Sequence, residues 1–488
     1  MSDQTFYWFD YETWGISPQW DRPAQFAGIR TDMDLNVLGE PNMFYCQLTP
    51  DYLPDPGACV VTGLTPEFVN GNGIPEPDFI KQVVQLIGSK GTCSVGYNTI
   101  RFDDEVSRHT LFRNFYDAYQ HEWKDGNSRW DLLDVVRLTR ALRPDGINWP
   151  VKEDGSPNNK LEYLTEANHL SHEQAHDALS DVYATIAVAK LIKTAQPRLF
   201  EYALSLRDKH KVAELLNWQN MEPVVHVSGM VPGSQEHTSI VVPLMRHPTN
   251  SNGIIVLDMR TDPDLLTSLS ADDIRARLFG SDLPAEQRLH LRTIQINRCP
   301  MVAPINTLSE ADASRIGLDR FESIKRANRT KQISETAKSA IADAMTHQTT
   351  ELSAQRELAI ARCPEASLYS GGFLSSDDRK RADNIAKLSP DQLTGFEETH
   401  GFFDDARLKT LLFNYRARHA NNTLSADEQE LWRDDCIERL NDTAGAVPWR
   451  TFDDFDQLML ETQWPEGSEA LQQALVDWRD QLEEYLIS

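Results

Sequence analysis

The chain has 488 residues, 40% of them hydrophobic, and 11 tryptophans, which predicts two to four globular domains and excludes an intrinsically disordered chain. Its formal net charge of −26 excludes non-specific nucleic-acid binding over the whole surface, but a local basic groove stays compatible because surface charge is screened beyond ~8 Å at physiological salt. Six scattered cysteines with no C-x-x-C pair, no apolar run of ~18 residues, and a start (Met1-Ser2-Asp3-Gln4) without a signal-peptide pattern lead us to expect a reduced, cytoplasmic protein with no zinc site and no membrane span.

Thr5-Phe6-Tyr7-Trp8-Phe9 is an unbroken β-branched and aromatic run, and Asp10-Tyr11-Glu12-Thr13 follows it. Read as a strand, Phe6, Trp8, Asp10 and Glu12 share one face and Tyr7, Phe9, Tyr11 and Thr13 the other, so the strand is expected to be central and buried on both sides. Two carboxylates at i, i+2 then stand at its C-terminal end, where open α/β sheets bind ligands. An Asp-x-Glu pair also occurs in many surface turns; here its position after so apolar a run points to a cation held between the two charges.

Ala24 to Arg30 and Asn42 to Leu48 read as two further strands separated by a polar turn, Asp32 to Pro41, which suggests an antiparallel meander. A Gly/Pro-rich loop, Asn70 to Pro77, precedes a helix expected over Asp78 to Ile87 and ended by Gly88. Thr92 to Tyr97 is a fourth strand, leading into Asp103-Asp104-Glu105 at a helix start. Those acids suit a helix N-terminus, or one of them faces Asp10 across the sheet. Helices are expected over Trp130 to Leu142 and Leu161 to His169. A further helix starts at Asp177, a good N-cap, and runs to about Thr194. His176 and Asp181 are five apart, ~140° out of phase on one helix, so they can share a site only if His176 lies in the loop before it.

This order of Asp-x-Glu, a strand-to-helix Asp and a His-x4-Asp resembles the histidine-bearing branch of the DEDD 3′→5′ exonucleases, an α/β, ribonuclease H-like fold. Gly96-Tyr97-Asn98, Arg101 to Glu105, His176-Asp177-Ala178, Ala24-Gln25-Phe26 after Asp21-Arg22-Pro23, Leu142-Arg143-Pro144, Gly146 to Pro150 and Asn414 to Arg418 resemble the bacterial exonuclease I family in particular. The resemblance implies a mixed-sheet exonuclease domain over 1–197, an SH3-like β domain with helical additions over 198–347, and a C-terminal helical domain over 348–488 that closes a groove around a single strand.

The residues agree with this division. Val224 to Ser228, Ser239 to Leu244, Gly253 to Met259 and Arg292 to Asn297 read as short strands of a small barrel or sandwich, with His226 as a structural strand residue. Helical periodicity dominates from Glu322 to His347, and again over Leu424 to Leu440, Asp454 to Glu461 and Ser468 to Leu486. Trp478, Leu482, Tyr485 and Leu486 are expected to pack and not to stack on bases. Arg320, Lys325, Arg326, Arg329 and Lys331 crowd one stretch, where a polyanion is expected, whereas residues 451–488 carry ten acids and one base, Arg479.

The resemblance further implies processive 3′→5′ degradation of single-stranded DNA to 5′-mononucleotides, in repair and recombination. Asp10, Glu12, Asp103 and Asp181 would hold two Mg²⁺ ions, with Mn²⁺ as a substitute, and His176 would act as general base. Glu12, Thr13, Arg22, Tyr97 and Phe102 are expected at the substrate. The family also binds the acidic, apolar-ended tail of single-strand DNA-binding protein; Arg143, Tyr202, Ile324 and Lys331 fit that site, while Glu222, Pro304 and Ser309 depart from its basic or polar pattern. A monomer is expected. The alternatives are an RNA-directed exonuclease of the same superfamily and a non-catalytic DNA-end binder; the second is disfavoured because all four acids and the histidine are present.

Overall fold

The computed structural model describes residues 4–171, 177–280, 283–284, 287–346, 363–370, 372–442 and 449–487. The chain forms two compact units: one of Met1–Ser128, Glu173–Tyr183 and Gln355–Ser488, the other of Arg129–His172 and Ala184–Ala354.

The first unit is organised by strand β1, Thr5–Thr13. Its neighbours are β2 (Pro23–Thr31), β3 (Val37–Tyr45) and β4 (Thr92–Gly96) in the order β3-β2-β1-β4. The first three strands form the expected antiparallel meander, and β4 lies parallel to β1. Both faces of β1 are buried: Phe6, Tyr7, Trp8 and Phe9 are each at most 1% exposed. Tyr7, Phe9 and Tyr11 pack with Phe26, Phe79, Val83 and Val106, which sets the helices Glu76–Ile87 and Asp103–Arg113 against one face.

The polar turn before β3 is shorter than expected, because the Asp32 carboxylate accepts from the backbone N–H groups of Asp34 (2.9 Å) and Asn36 (2.8 Å) and Leu35 takes a φ of 68°. Strand β3 therefore begins at Val37. Two short helices that the sequence reading missed, Pro56–Thr62 and Pro66–Asn72, each start on a proline and are capped by Asp55 and Thr65. Proline with its fixed φ is favoured at a first helical position.

The C-terminal helices of the first unit share its core. Trp14, Leu48, Tyr52 and Leu53 pack in one cluster with Trp432, Leu475, Leu482 and Leu486, against which Trp478 and Tyr485 also pack, so these side chains are packing residues as expected. Ala426–Leu440, Phe452–Glu461 and Glu469–Ile487 lie within two residues of the expected helices. Beside this core lies a set of buried ion pairs that no local pattern announces. Arg418 pairs with Asp51 (2.9 Å) and Glu365, and Arg113 forks onto both oxygens of Glu76 at 2.8 Å.

In the second unit, β6 (Val224–Val227), β7 (Thr238–Arg246), β8 (Gly253–Asp258), β9 (Leu291–Gln295) and β10 (Met301–Pro304) form one antiparallel sheet in the order β10-β6-β7-β8-β9. Strand β10 and the short β5 (Ser128–Asp131) were not expected; Trp130 belongs to β5, and the helix after it is Leu132–Leu142. His226 is buried within β6, 7% exposed. No described helix is long and apolar enough to cross a membrane. All six cysteines are free and buried.

The cations of the basic stretch have acidic partners. The stretch forms the helix Arg320–Thr330, and its cations pair with acids of the same unit: Arg320 with Glu310, Lys325 and Arg326 with Glu322, Arg329 with Asp262 and Asp264, Lys331 with Glu222. Arg326 also donates to the carbonyls of Met259 and Arg260. Charge crowding along the sequence is thus offset in part by Glu322 of the same helix and in part by acids from elsewhere in the chain.

Candidate active site

The parallel pairing of β1 with β4 covers Thr5 to Trp8, so Asp10 and Glu12 project beyond it at the C-terminal end. Gly96 closes β4 where a Cβ would lie 2.7 Å from the Phe9 carbonyl oxygen, and Asn98 follows at φ 71°. Only a residue without a side chain allows that approach. The chain therefore turns tightly against β1 and starts the helix Asp103–Arg113 beside it, where Asp103 Oδ1 accepts from the Tyr11 backbone N–H at 3.1 Å. Asp103 is 2% exposed. The Tyr11 hydroxyl meets Ser107 Oγ one turn along the same helix at 3.0 Å, a second tie between strand and helix.

Asp181 lies in the first turn of the helix Ala178–Ala195. Asp177 caps it as expected, its carboxylate accepting from Ser180 N–H at 3.2 Å and its carbonyl from Asp181 N–H at 3.0 Å. One carboxylate oxygen from each of Asp10, Glu12 and Asp181 falls within 4.8 Å of the others. Carboxylates so close repel unless a cation or a proton intervenes.

The electrostatics reflect that crowding. Burial, followed by the charges of Asp103, Glu12, Asp181 and Asp177, holds the Asp10 carboxyl well above the usual carboxylate range. Burial and then Asp181, Asp103 and Asp177 push Glu12 up to about 8. The largest charge effects on both thus come from other acids. Hard oxygen ligands in this number suit a divalent cation such as Mg²⁺, and the donor set fits such an ion.

Asp177, expected as the helix cap, also adds its charge to the crowding at Asp10 and Glu12. His176 itself lies outside the described residues. Among the expected substrate contacts, Thr13 Oγ1 donates to the Gly15 carbonyl at 2.7 Å, Tyr97 is half-buried, and Phe102 packs partly buried against the aromatic core. Arg22, also expected at the substrate, lies in the interior. It is 6% exposed, and burial followed by its neighbours Arg113 and Arg418 lowers its pKa to about 10. The nearby charges of Glu76 and Asp51 act in the opposite direction.

The expected tail-binding residues of the second unit have internal partners. Arg143 donates to the Thr307 carbonyl at 3.1 Å, the Tyr202 hydroxyl to the Val302 carbonyl at 2.8 Å, and Lys331 to Glu222 at 2.6 Å. Ile324 is half-buried. Glu222, standing where a polar or basic residue was expected, thus neutralises one of the cations.

A sheet centred on an acid-tipped strand, with further acids delivered by two helix starts, defines the class: a nuclease-type carboxylate site on a mixed α/β exonuclease fold. Family models agree in sequence order: Exonuclease over residues 7–189, Exonuclease I SH3-like domain over 207–345, and Exonuclease I C-terminal domain over 362–482. The chain is 44% identical over 441 residues to exodeoxyribonuclease I of Haemophilus influenzae, covering 89% of this chain and 90% of that one. It superposes on exonuclease I from Methylocaldum szegediense with a TM-score of 0.90 and 40% identity, covering 98% of this chain and 99% of the other. The zinc-ion-bound form of the Escherichia coli exonuclease I–single-stranded DNA complex matches with a TM-score of 0.87 and 39% identity, over 98% and 99% of the two chains. The chain belongs to the exodeoxyribonuclease I family.

Proposed function

We propose that this protein is a 3′→5′ exonuclease that degrades single-stranded DNA processively to 5′-mononucleotides, with Asp10, Glu12, Asp103 and Asp181 as its metal ligands. The observation that carries this reading is the meeting of Asp10, Glu12 and Asp181 oxygens within 4.8 Å, beside an Asp103 anchored to the backbone of Tyr11. When bound, a pair of Mg²⁺ ions supplies positive charge to the attacking and leaving oxygens of the phosphodiester.

The chain's own groups do the rest. The four carboxylates fix where positive charge collects, and the Tyr11 N–H holds Asp103 in place. His176, whose ordinary pKa of ~6.5 suits proton uptake at neutral pH, takes the proton of the attacking water. Thr13, Tyr97 and Phe102, close to the acids in sequence, flank the 3′-terminal nucleotide. Stacking and backbone contacts carry no base code, so little sequence preference is expected.

The test is incubation with end-labelled single-stranded DNA, duplex DNA and RNA, with Mg²⁺ or EDTA. Single-stranded DNA should shorten from its 3′ end, only with metal, and an unlabelled trap strand added after binding should not interrupt the digestion. Preferential digestion of RNA would favour the RNA-directed alternative, and binding without digestion the passive end binder.

In the second unit, Arg143, Tyr202, Ile324 and Lys331 form a reduced site for the acidic tail of single-strand DNA-binding protein. The Lys331–Glu222 pair supports weaker binding than a fully basic rim would give.

A further inference from the structure

Glu12 stands where strand β1 loses its ladder. The pairing with β2 runs residue for residue from Phe6 to Glu12 and then slips, so that Thr13 faces Pro23, which has no N–H to donate. A bulge of this kind re-aims a side chain and ends strand pairing. Beyond Glu12 the strand is therefore held by the loop from Trp14 to Arg22. Thr13 Oγ1 donates to the Gly15 carbonyl at 2.7 Å, and the Trp14 N–H to the Arg22 carbonyl at 2.9 Å.

One buried carboxylate locks that loop. Asp21, 7% exposed, accepts from the Ser17 backbone N–H at 2.8 Å and from the Tyr52 hydroxyl. Gly15 lies so close that a Cβ there would stand 2.3 Å from the Asp21 carboxyl carbon. A third partner comes from the far end of the chain. Arg450, two residues before the helix Phe452–Glu461, spans the Leu53 carbonyl (2.6 Å), Asp55 (3.2 Å) and Asp21 (3.4 Å). The Asp55 N–H in turn donates to the Trp14 carbonyl at 2.8 Å. Beside this lock, Gln19 donates to the Ala366 carbonyl at 2.9 Å, and Trp20 meets Trp449 edge to face at 6.0 Å. All of these residues lie within the first unit.

We propose that Asp21, with Arg450 behind it, is a positioning residue for metal binding: its lock on the loop keeps Glu12 where its oxygen meets those of Asp10 and Asp181. This rests on the metal-site reading above. Three carboxylates that repel one another need such a restraint, because a free strand end would let Glu12 move away from its neighbours. A guanidinium suits the task, since its rigid fork of donors reaches three acceptors at once.

The test measures the Mn²⁺ affinity of the full, DNA-free chain by isothermal titration calorimetry, and the Mg²⁺ concentration for half-maximal digestion of single-stranded DNA, both well below the melting temperature. Arg450→Met and Gly15→Ala attack the lock from opposite ends. Each should raise the Mn²⁺ Kd and the half-maximal Mg²⁺ concentration about tenfold, the loss typical of a group that orients a metal ligand. KM for DNA should stay within twofold, and excess Mg²⁺ should restore kcat. Arg450→Lys, which keeps the charge but not the fork, should fall in between. Phe403→Leu, a core change in a separate apolar cluster, should lower the melting temperature and leave metal affinity unchanged. Metal affinity within twofold of the wild type in either lock variant would overturn the proposal. So would a tenfold loss in Phe403→Leu, which would make the effect one of stability alone. Should Arg450→Met not fold, Gly15→Ala and Arg450→Lys decide on the same readouts. Failure of the metal-site reading is distinguishable: Asp10→Asn would then bind Mn²⁺ like the wild type, whereas failure of the lock leaves the Asp10→Asn loss in place.

Discussion

Two sets of shielded carboxylates lie within the first unit and behave oppositely. Asp51, Glu76 and Glu365 are buried beside arginines: burial alone would raise their pKa values, but Arg418 with Arg439 or Arg22, and Arg113 with Arg22, hold all three below the usual range, Glu365 at about 2. Asp10 and Glu12 are raised instead, with other acids as their main charged neighbours. Protein cations satisfy the first set, which is structural. The second lacks such partners, and that imbalance supports the proposed metal site.

The largest expected effect attacks the second set. Asp10→Asn should lower nuclease activity by at least about 10³-fold in a gel assay with Mg²⁺, as expected when a charge-placing group is lost, while DNA binding is largely kept. The same variant should melt higher than the wild type in EDTA, because one repelling charge has gone; wild-type activity in this variant would erase the distinction between the two sets. Next, Arg418→Ala attacks the first set and leaves Glu365 buried without its ion-pair partner. A cost of about 3–5 kcal/mol in urea unfolding is expected, and a cost near zero would mean that this network does not hold the C-terminal segment.

Titration separates the sets more gently. A raised carboxyl contributes stability that is present below its unfolded pKa and lost as pH rises through the folded value; for Glu12 the window runs from about 4.3, its unfolded value, to about 8. Metal-free protein should therefore melt lower at pH 9 than at pH 6, and Mg²⁺ should remove most of that difference. Depressed carboxyls contribute stability that is present above their unfolded values and lost as pH falls through the folded ones, so the arginine-paired set should govern unfolding below about pH 4, its unfolded carboxylate range, with or without metal. A melting curve insensitive to Mg²⁺ across pH 6 to 9 would remove the metal-site reading of Asp10 and Glu12.

The smallest effect concerns a pair at the surface. Glu222→Lys removes the partner of Lys331 and should tighten binding of an acidic tail peptide about fivefold, on the order of 1 kcal/mol for a rim charge, read by fluorescence anisotropy. Unchanged affinity would place the tail elsewhere.

Much of the site was legible because its signals are local. The apolar run ending in Asp10-Tyr11-Glu12 prescribes a central strand with acids at its tip, and Asp177 announces a helix start that carries Asp181. The burial of Arg22 was not legible, because polarity in a loop suggests the surface and its acidic neighbours Glu76 and Asp51 are remote in sequence. The acidic partners of the basic run from Arg320 to Lys331 were hidden for the same reason: Glu222, Asp262 and Glu310 reach it only once the chain is folded.

By itself, then, the sequence determined most of the longer elements, the faces of β1 and the kind of chemistry, since period and residue type act over a few neighbours. Tertiary structure alone decided which charges stay unbalanced. Coulomb energy depends on distance in space, and only the fold sets Asp181 beside Glu12 while giving Asp51 and Glu365 their arginine.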